Sequence, residues 1–249
     1  MTSDEVGELE KLDLILLRKI LRVPKTTPKA SLYLELGIVP ISIMLRGRRI
    51  KYLHYLLSKS KESMLGQFFW SQWNQPVKGD WVTTVKEDLE ILGFGESINQ
   101  LKSYSKYKLK DLLKRRIENY TFYQLQAKKC TLSKLSHLSY PNLELQNYFK
   151  LHDLTAVEMR NIFAFRVRMK LFGENFRGDG ATTYCPLCKD HIDSQDLIGE
   201  CTVIKNKFKE DILSHVKNVY SQHQTIESLK MVIKVLVFRE EMIDKKTVR

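Results

Sequence analysis

The chain has 249 residues, 43% of them hydrophobic and 28% charged, which suffices for one large domain or two small ones. Its 41 Lys and Arg outnumber 29 Asp and Glu, and the net charge of +12 points to a polyanionic partner rather than a small acidic substrate. No run approaches the ~18 apolar residues of a membrane span, and the acidic start does not read as a signal peptide, so an intracellular protein, cytoplasmic or nuclear and without a membrane partner, is expected.

Thr2 and Glu5 have capping-box spacing and open a first helix, whose Leu9, Leu12, Ile15, Leu16 and Ile20 recur three or four apart. It stops near Pro24. The run from Pro24 to Pro28 is a rigid connector, Ser31 begins a second helix ending around Gly37, and Pro40 suits the first turn of a third, Ile41 to Ser58. On the third helix Ile43, Met44, Ile50, Leu53 and Leu57 should face inward, with Arg46, Arg49 and Lys51 outward.

Residues 62–81 are dense in aromatics (Phe68, Phe69, Trp70, Trp73, Trp81), read first as core and second as rings for stacking on bases. Asp80 is a plausible N-cap for a helix to Leu92, and Gly93-Phe-Gly95 breaks the chain before a basic helix from Ser103 to Lys129. Leu109, Leu112, Leu113, Ile117 and Tyr120 form its inner stripe.

The Ser-rich stretch 130–141 reads as a linker, separating a basic helical region, 1–129, from a second helical region, 142–249. Thr155 and Glu158 form another capping box, opening a helix through Phe172 with Ile162, Phe165 and Met169 inside and Arg166, Arg168 and Lys170 near its end. Two helices are expected from Lys205 to Glu241, with Ile226, Leu229, Val232, Ile233, Leu236 and Val237 as a core face. The fold class is mostly α: a helical bundle followed by a small zinc-knuckle-like segment and C-terminal helices.

The positive charge is concentrated. Leu14 to Lys61 holds eleven basic residues against Glu35 alone, and Lys102 to Lys129 holds nine against Asp111 and Glu118, so the remainder is slightly acidic. Two such surfaces suit a phosphate backbone, because each neutralised phosphate releases condensed counterions. A solvated face without a partner is the plainer alternative.

Four cysteines are too few for a disulfide scaffold, yet three fall within seventeen residues. Cys185-Pro-Leu-Cys188 has the spacing of a zinc-knuckle turn, in which two thiolates bind one ion while turn amides point at the sulfurs. His191 and Cys201 are the nearest further ligands, making Cys185, Cys188, His191 and Cys201 the candidate metal set and zinc the candidate cofactor. A turn held by packing alone is the alternative.

No catalytic set emerges. Two-metal nucleotidyl transfer needs clustered carboxylates, and the chain has no Asp-Asp pair, no Gly-x-Ser-x-Gly elbow and no His-Glu-x-x-His. A non-enzyme is expected.

Several stretches together resemble the region downstream of the polymerase core in reverse transcriptases of non-long-terminal-repeat retrotransposons. The matching residues are Leu16-Leu-Arg-Lys-Ile-Leu21, Lys29-Ala-Ser-Leu-Tyr-Leu-Glu-Leu-Gly-Ile-Val-Pro40 and Arg48-Arg-Ile-Lys-Tyr-Leu-His-Tyr-Leu-Leu57. They continue as Pro76-Val-Lys-Gly-Asp-Trp-Val82, Asn142-Leu-Glu-Leu-Gln-Asn-Tyr148, Phe163-Ala-Phe-Arg-Val-Arg-Met169, Glu174-Asn-Phe176, Cys185-Pro-Leu-Cys188 and Asp193-Ser-Gln195. The resemblance implies a polymerase thumb followed by a zinc-binding segment, both gripping RNA or DNA, with the polymerase aspartates upstream of Met1. The family pattern closes its metal site with Ser-Gln-x-His, whereas here Leu197 stands at the His position.

The expected function is an accessory region that binds RNA or DNA backbone, lacking the polymerase core. Arg46, Arg48, Arg49, Lys51, Lys110, Lys114, Arg115 and Arg116 are the candidate phosphate contacts. The alternative is a domesticated or truncated retroelement remnant acting as a protein-interaction module, through an acidic protein partner or self-association.

Overall fold

The computed structural model describes residues 3–95, 98–170, 172–176 and 184–247. Among these residues the protein is mostly helical, with eleven α-helices and an isolated antiparallel bridge between Tyr184 and Ile192. Thr2 of the first expected capping box lies outside the described residues.

The chain divides into two compact units, Met1–Asp13 with Val39–Gln124, and Leu14–Ile38 with Leu125–Arg249. This departs from the expected segments 1–129, 130–141 and 142–249. Residues 14–38 join the C-terminal unit because their second helix buries Glu35 among hydrogen-bond partners from residues 140–166. The Ser-rich stretch is no free linker either: Leu135, Leu138 and Tyr140 are buried, and the Lys129 ammonium donates to the Leu138 carbonyl. Its apolar residues outweigh its serines.

In the first unit, α3 (Ile41–Leu57) is surrounded by α4 (Met64–Asn74), α5 (Trp81–Ile91), α6 (Ile98–Ser103) and α7 (Lys106–Cys130). Ile50, Leu53 and Leu57 of α3 meet Phe69, Val85, Leu101, Leu109 and Leu113 in one core. Trp70, Trp73 and Trp81 lie half-buried against it, so most of the aromatic cluster is core and Phe68 alone of the five is largely exposed. Each of three helix starts is capped as its chemistry requires. Ser63 accepts from the Gly66 amide, Asp80 from Thr83 and Ser105 from Lys108, satisfying amides that have no intrahelical partner.

One packing detail sets the height of α7 over α3. Gly47 is buried, and a Cβ there would lie 2.3 Å from Ile117 Cδ1. The missing side chain lets Ile117 seat directly on α3.

The first helix, α1 (Ser3–Leu21), corrects an expectation. Leu9, Leu12, Ile15, Leu16 and Ile20 are exposed, while Leu17 and Leu21 are buried. The sequence places apolar residues on two sides of this helix, and periodicity alone does not say which side is covered. Met44 of α3 and Val237 likewise lie exposed rather than inward.

In the second unit, α2 (Lys29–Leu36) ends at Gly37, which caps it with φ 62°. A Cβ on Gly37 would come within 2.2 Å of the Glu144 backbone, so glycine is required both for the turn and for the close approach. The Thr155–Glu158 capping box is present at the start of α8 (Ala156–Arg166). That helix is shorter than expected, because Arg168 adopts a left-handed φ of 55° and turns the chain away. Helices α9 (Thr202–Phe208), α10 (Ile212–Tyr220) and α11 (Ile226–Thr247) complete the unit. Leu229, Val232, Ile233 and Leu236 are buried as expected.

Candidate functional site

Two sets of residues carry chemistry, one in each unit. In the first unit, α3 and α7 present the basic surface. Arg48 and Lys51 on α3, and Lys110, Lys114 and Arg115 on α7, are exposed to solvent. Lys114 and Arg115 make i,i+4 pairs with Glu118 and Asp111 at the exposed surface, where such pairs are worth only a few tenths of a kcal/mol, ~0.3–0.5. Their charge stays available.

The other three expected contacts are engaged within the fold. Arg46 and Arg49 turn toward α5, where Arg46 Nη1 lies 2.7 Å and Arg49 Nε 2.5 Å from the carboxylate of Asp88. Asp88 is fully buried, and burying a carboxylate is tolerable only with cations that neutralise it. Arg116 is half-buried, donating to the Gly93 carbonyl with its guanidinium 4.0 Å from the centre of the Phe94 ring. These arginines are therefore structural first. Sequence reasoning missed Asp88 because it sits in the charge-interleaved run Lys86-Glu-Asp-Leu-Glu90, which has no local feature marking one acid as buried.

Between α3 and α7 runs an open groove of about 560 Å³, lined by Lys51, His54, Tyr55, Lys106, Leu109 and Lys110. Lys51 and Lys110 also border an adjoining groove of about 390 Å³, reached by Tyr107 and Lys114. Tyr55 in the larger groove is about half exposed, at 47%, and Tyr107 in the adjoining one largely so, at 84%; Tyr52, at 48%, lies outside both. Lys106 and these tyrosines were not singled out from sequence; the i,i+4 spacing of Lys106 and Lys110 was the available signal.

In the second unit, three cysteines converge. The sulfurs of Cys185, Cys188 and Cys201 all lie within 4.8 Å of one another, and Cys185 and Cys201 Sγ are 3.7 Å apart. The turn is closed by the Lys189 amide on the Cys185 carbonyl, 2.9 Å, and by the Cys185 amide on the His191 carbonyl, 2.7 Å. Lys189 takes the left-handed φ of 64° that such a turn needs. The hydrogen bond between Cys185 and Cys201 lowers the Cys185 thiol, against its burial, with the Cys188 and Leu187 amides adding to the effect. The same bond and burial push Cys201 up. A lowered thiol favours the thiolate, the form that binds metal.

The arrangement fits a metal ion. Zinc–sulfur bonds of ~2.3 Å in a tetrahedron place the sulfurs ~3.8 Å apart, close to the observed Cys185–Cys201 spacing. His191, expected as a fourth ligand, stands outside the cluster: the chain folds back at this residue so that its carbonyl, not its ring, meets Cys185 and closes the turn. Leu197 and His191 border the same small cavity as Cys185 and Cys201. Arg239 of α11 also borders this cavity and donates from Nη2 to both carboxylate oxygens of buried Asp193 at 2.8 Å, anchoring the cysteine loop to the C-terminal helix.

No single helix among the described residues is long and apolar enough to cross a membrane. Comparison with protein-family models, with curated proteins and with solved structures finds no match to this chain.

Proposed function

We propose that this protein binds the phosphate backbone of RNA or DNA through the outer face of α3 and α7, and that its three clustered cysteines hold a structural zinc ion. The observation that carries the reading is the set of exposed cations on one pair of packed helices: Arg48, Lys51, Lys110, Lys114 and Arg115. Long basic side chains on a rigid helical scaffold suit a regularly spaced polyanion, and they position without reading bases. The resemblance to the region downstream of a retrotransposon polymerase core supports the same reading, as an accessory part with a binding role.

Cys185, Cys188 and Cys201 would hold the zinc, which would tie the turn at 185–188 to the start of α9. Zinc content measured by mass spectrometry on purified protein, beside a triple Cys→Ser variant, tests this: about one equivalent retained only by the unaltered chain is expected. The binding role is tested by fluorescence anisotropy with RNA and DNA across a salt series. Affinity falling steeply with salt is expected, and no binding at low salt overturns the reading.

A second reading, a protein-interaction module, draws on the exposed stripe of α1, where Leu12 is 61% and Leu16 56% exposed. Contiguous exposed apolar residues of this kind mark partner surfaces. Concentration-dependent mass in sedimentation equilibrium, abolished by Leu12→Gln with Leu16→Gln, is its signature.

A further inference from the structure

We infer that the groove between α3 and α7, together with the adjoining groove that Tyr107 borders, is a single-strand site, in which Tyr55 and Tyr107 stack on unpaired bases while Lys51, Lys106 and Lys110 meet the phosphates. The inference rests on the proposed backbone binding and narrows its partner.

Three features point to it. Among the described residues no carboxylate lies within ion-pair distance of Lys51, Lys106 or Lys110, and whereas Asp111 and Glu118 line the adjoining groove, no acid lines the larger one, so its cations are left for an outside anion. Unneutralised charge facing a concave surface raises local anion concentration.

The rings of the two grooves reach solvent rather than the core: Tyr55 lines the larger groove and is 47% exposed, with Lys59 4.3 Å from its ring centre, and Tyr107 borders the adjoining groove and is 84% exposed. Exposed tyrosines cost hydrophobic stabilisation unless something covers them. The faces of unpaired bases do so without demanding a particular sequence.

The shape then chooses between strands. A duplex keeps its base faces stacked inside and offers only phosphates and groove edges, leaving the tyrosine rings with no base face to stack on. A single strand can lay its backbone along the lysines and turn its bases onto the tyrosines. Leu109, buried at the floor of the groove, gives those bases an apolar surface beneath.

The test uses the full chain and fluorescence anisotropy with three probes: a twenty-nucleotide oligo(dT), a twenty-nucleotide oligo(rU) and a twenty-base-pair DNA duplex. Both single strands are expected to bind at least tenfold tighter than the duplex. Tyr55→Ala with Tyr107→Ala should weaken the single strands about tenfold or more and leave the duplex unchanged. Lys51→Gln with Lys106→Gln and Lys110→Gln should weaken all three and flatten their salt dependence. All the altered side chains are wholly or largely at the surface, and circular dichroism melting confirms that the variants fold. Equal binding of single strand and duplex, or tyrosine variants that bind as the unaltered chain does, overturns the single-strand site while the basic surface stands. Failure of all three probes to bind overturns the broader reading with it.

Discussion

Arg166 Nε lies 3.0 Å from both carboxylate oxygens of Glu35, across 131 residues of sequence and with neither side chain exposed to solvent. Tyr140 and Tyr148 donate to the same carboxylate at 2.5 and 2.7 Å, and Arg166 also donates to the Val219 carbonyl. Burial and the adjacent Glu35 charge push both phenols well up, so they remain neutral donors. This network ties α2, the 140–148 segment, α8 and the end of α10 into one unit.

Breaking the pair from one side strands a buried charge. Arg166→Met is expected to cost about 3–5 kcal/mol in chemical denaturation, whereas adding Glu35→Gln to it should restore part of the loss. A double variant as unstable as the sum of the singles contradicts the pairing.

Arg48 and Arg49 are neighbours with different work. Arg49→Gln removes a partner from buried Asp88 and should destabilise by about 2–3 kcal/mol. Arg48→Gln touches no buried group and should change stability by less than about 0.5 kcal/mol while weakening nucleic-acid binding. Melting and anisotropy on both variants separate the two roles.

Gly37→Ala should cost about 3 kcal/mol or more, since the substitution adds a left-handed φ penalty to a clash with the Glu144 backbone. Gly79 has φ 85° with open space around its Cβ position, so Gly79→Ala serves as the control, paying only the φ term of about 1 kcal/mol. Equal effects at both sites would remove the argument for close approach.

His137 gives a pH dependence of known sign. Its ring is held by the Arg166 carbonyl at 3.0 Å, and burial, aided by the Arg168 charge, lowers it to about 4 from an ordinary 6.5. The unfolded chain therefore takes up the proton first, and stability is lost as pH falls from about 6.5 to about 4. The loss should reach about 2 kcal/mol, since solvent screens the outer part of the ring. Denaturation across this range on His137→Gln should show that component gone.

Much of the helical framework was legible because its signals are local. Asp80 and Thr155 cap the helices their positions predict, and Gly37 ends α2, since each effect is decided within four residues. The cysteine turn was legible for the same reason. What was not legible is decided across the chain. Glu35 read as a lone acid in a basic stretch and Arg166 as a helix-end charge, though each is the other's partner. Arg46 and Arg49 read as surface cations because Asp88 lies about forty residues away. On α1 both sides are apolar, so the covered side depends on tertiary neighbours that periodicity does not contain.

The central claim is that the outer cations of α3 and α7 bind a phosphate backbone, and the most direct test is the salt dependence of affinity for a DNA duplex. The unaltered chain is compared with one carrying Arg48→Gln, Lys110→Gln, Lys114→Gln and Arg115→Gln. The account predicts a log–log slope of about −3 to −4 for the unaltered chain, less steep by roughly one for each cation that contacts a phosphate. Identical slopes and affinities for the two proteins would contradict it.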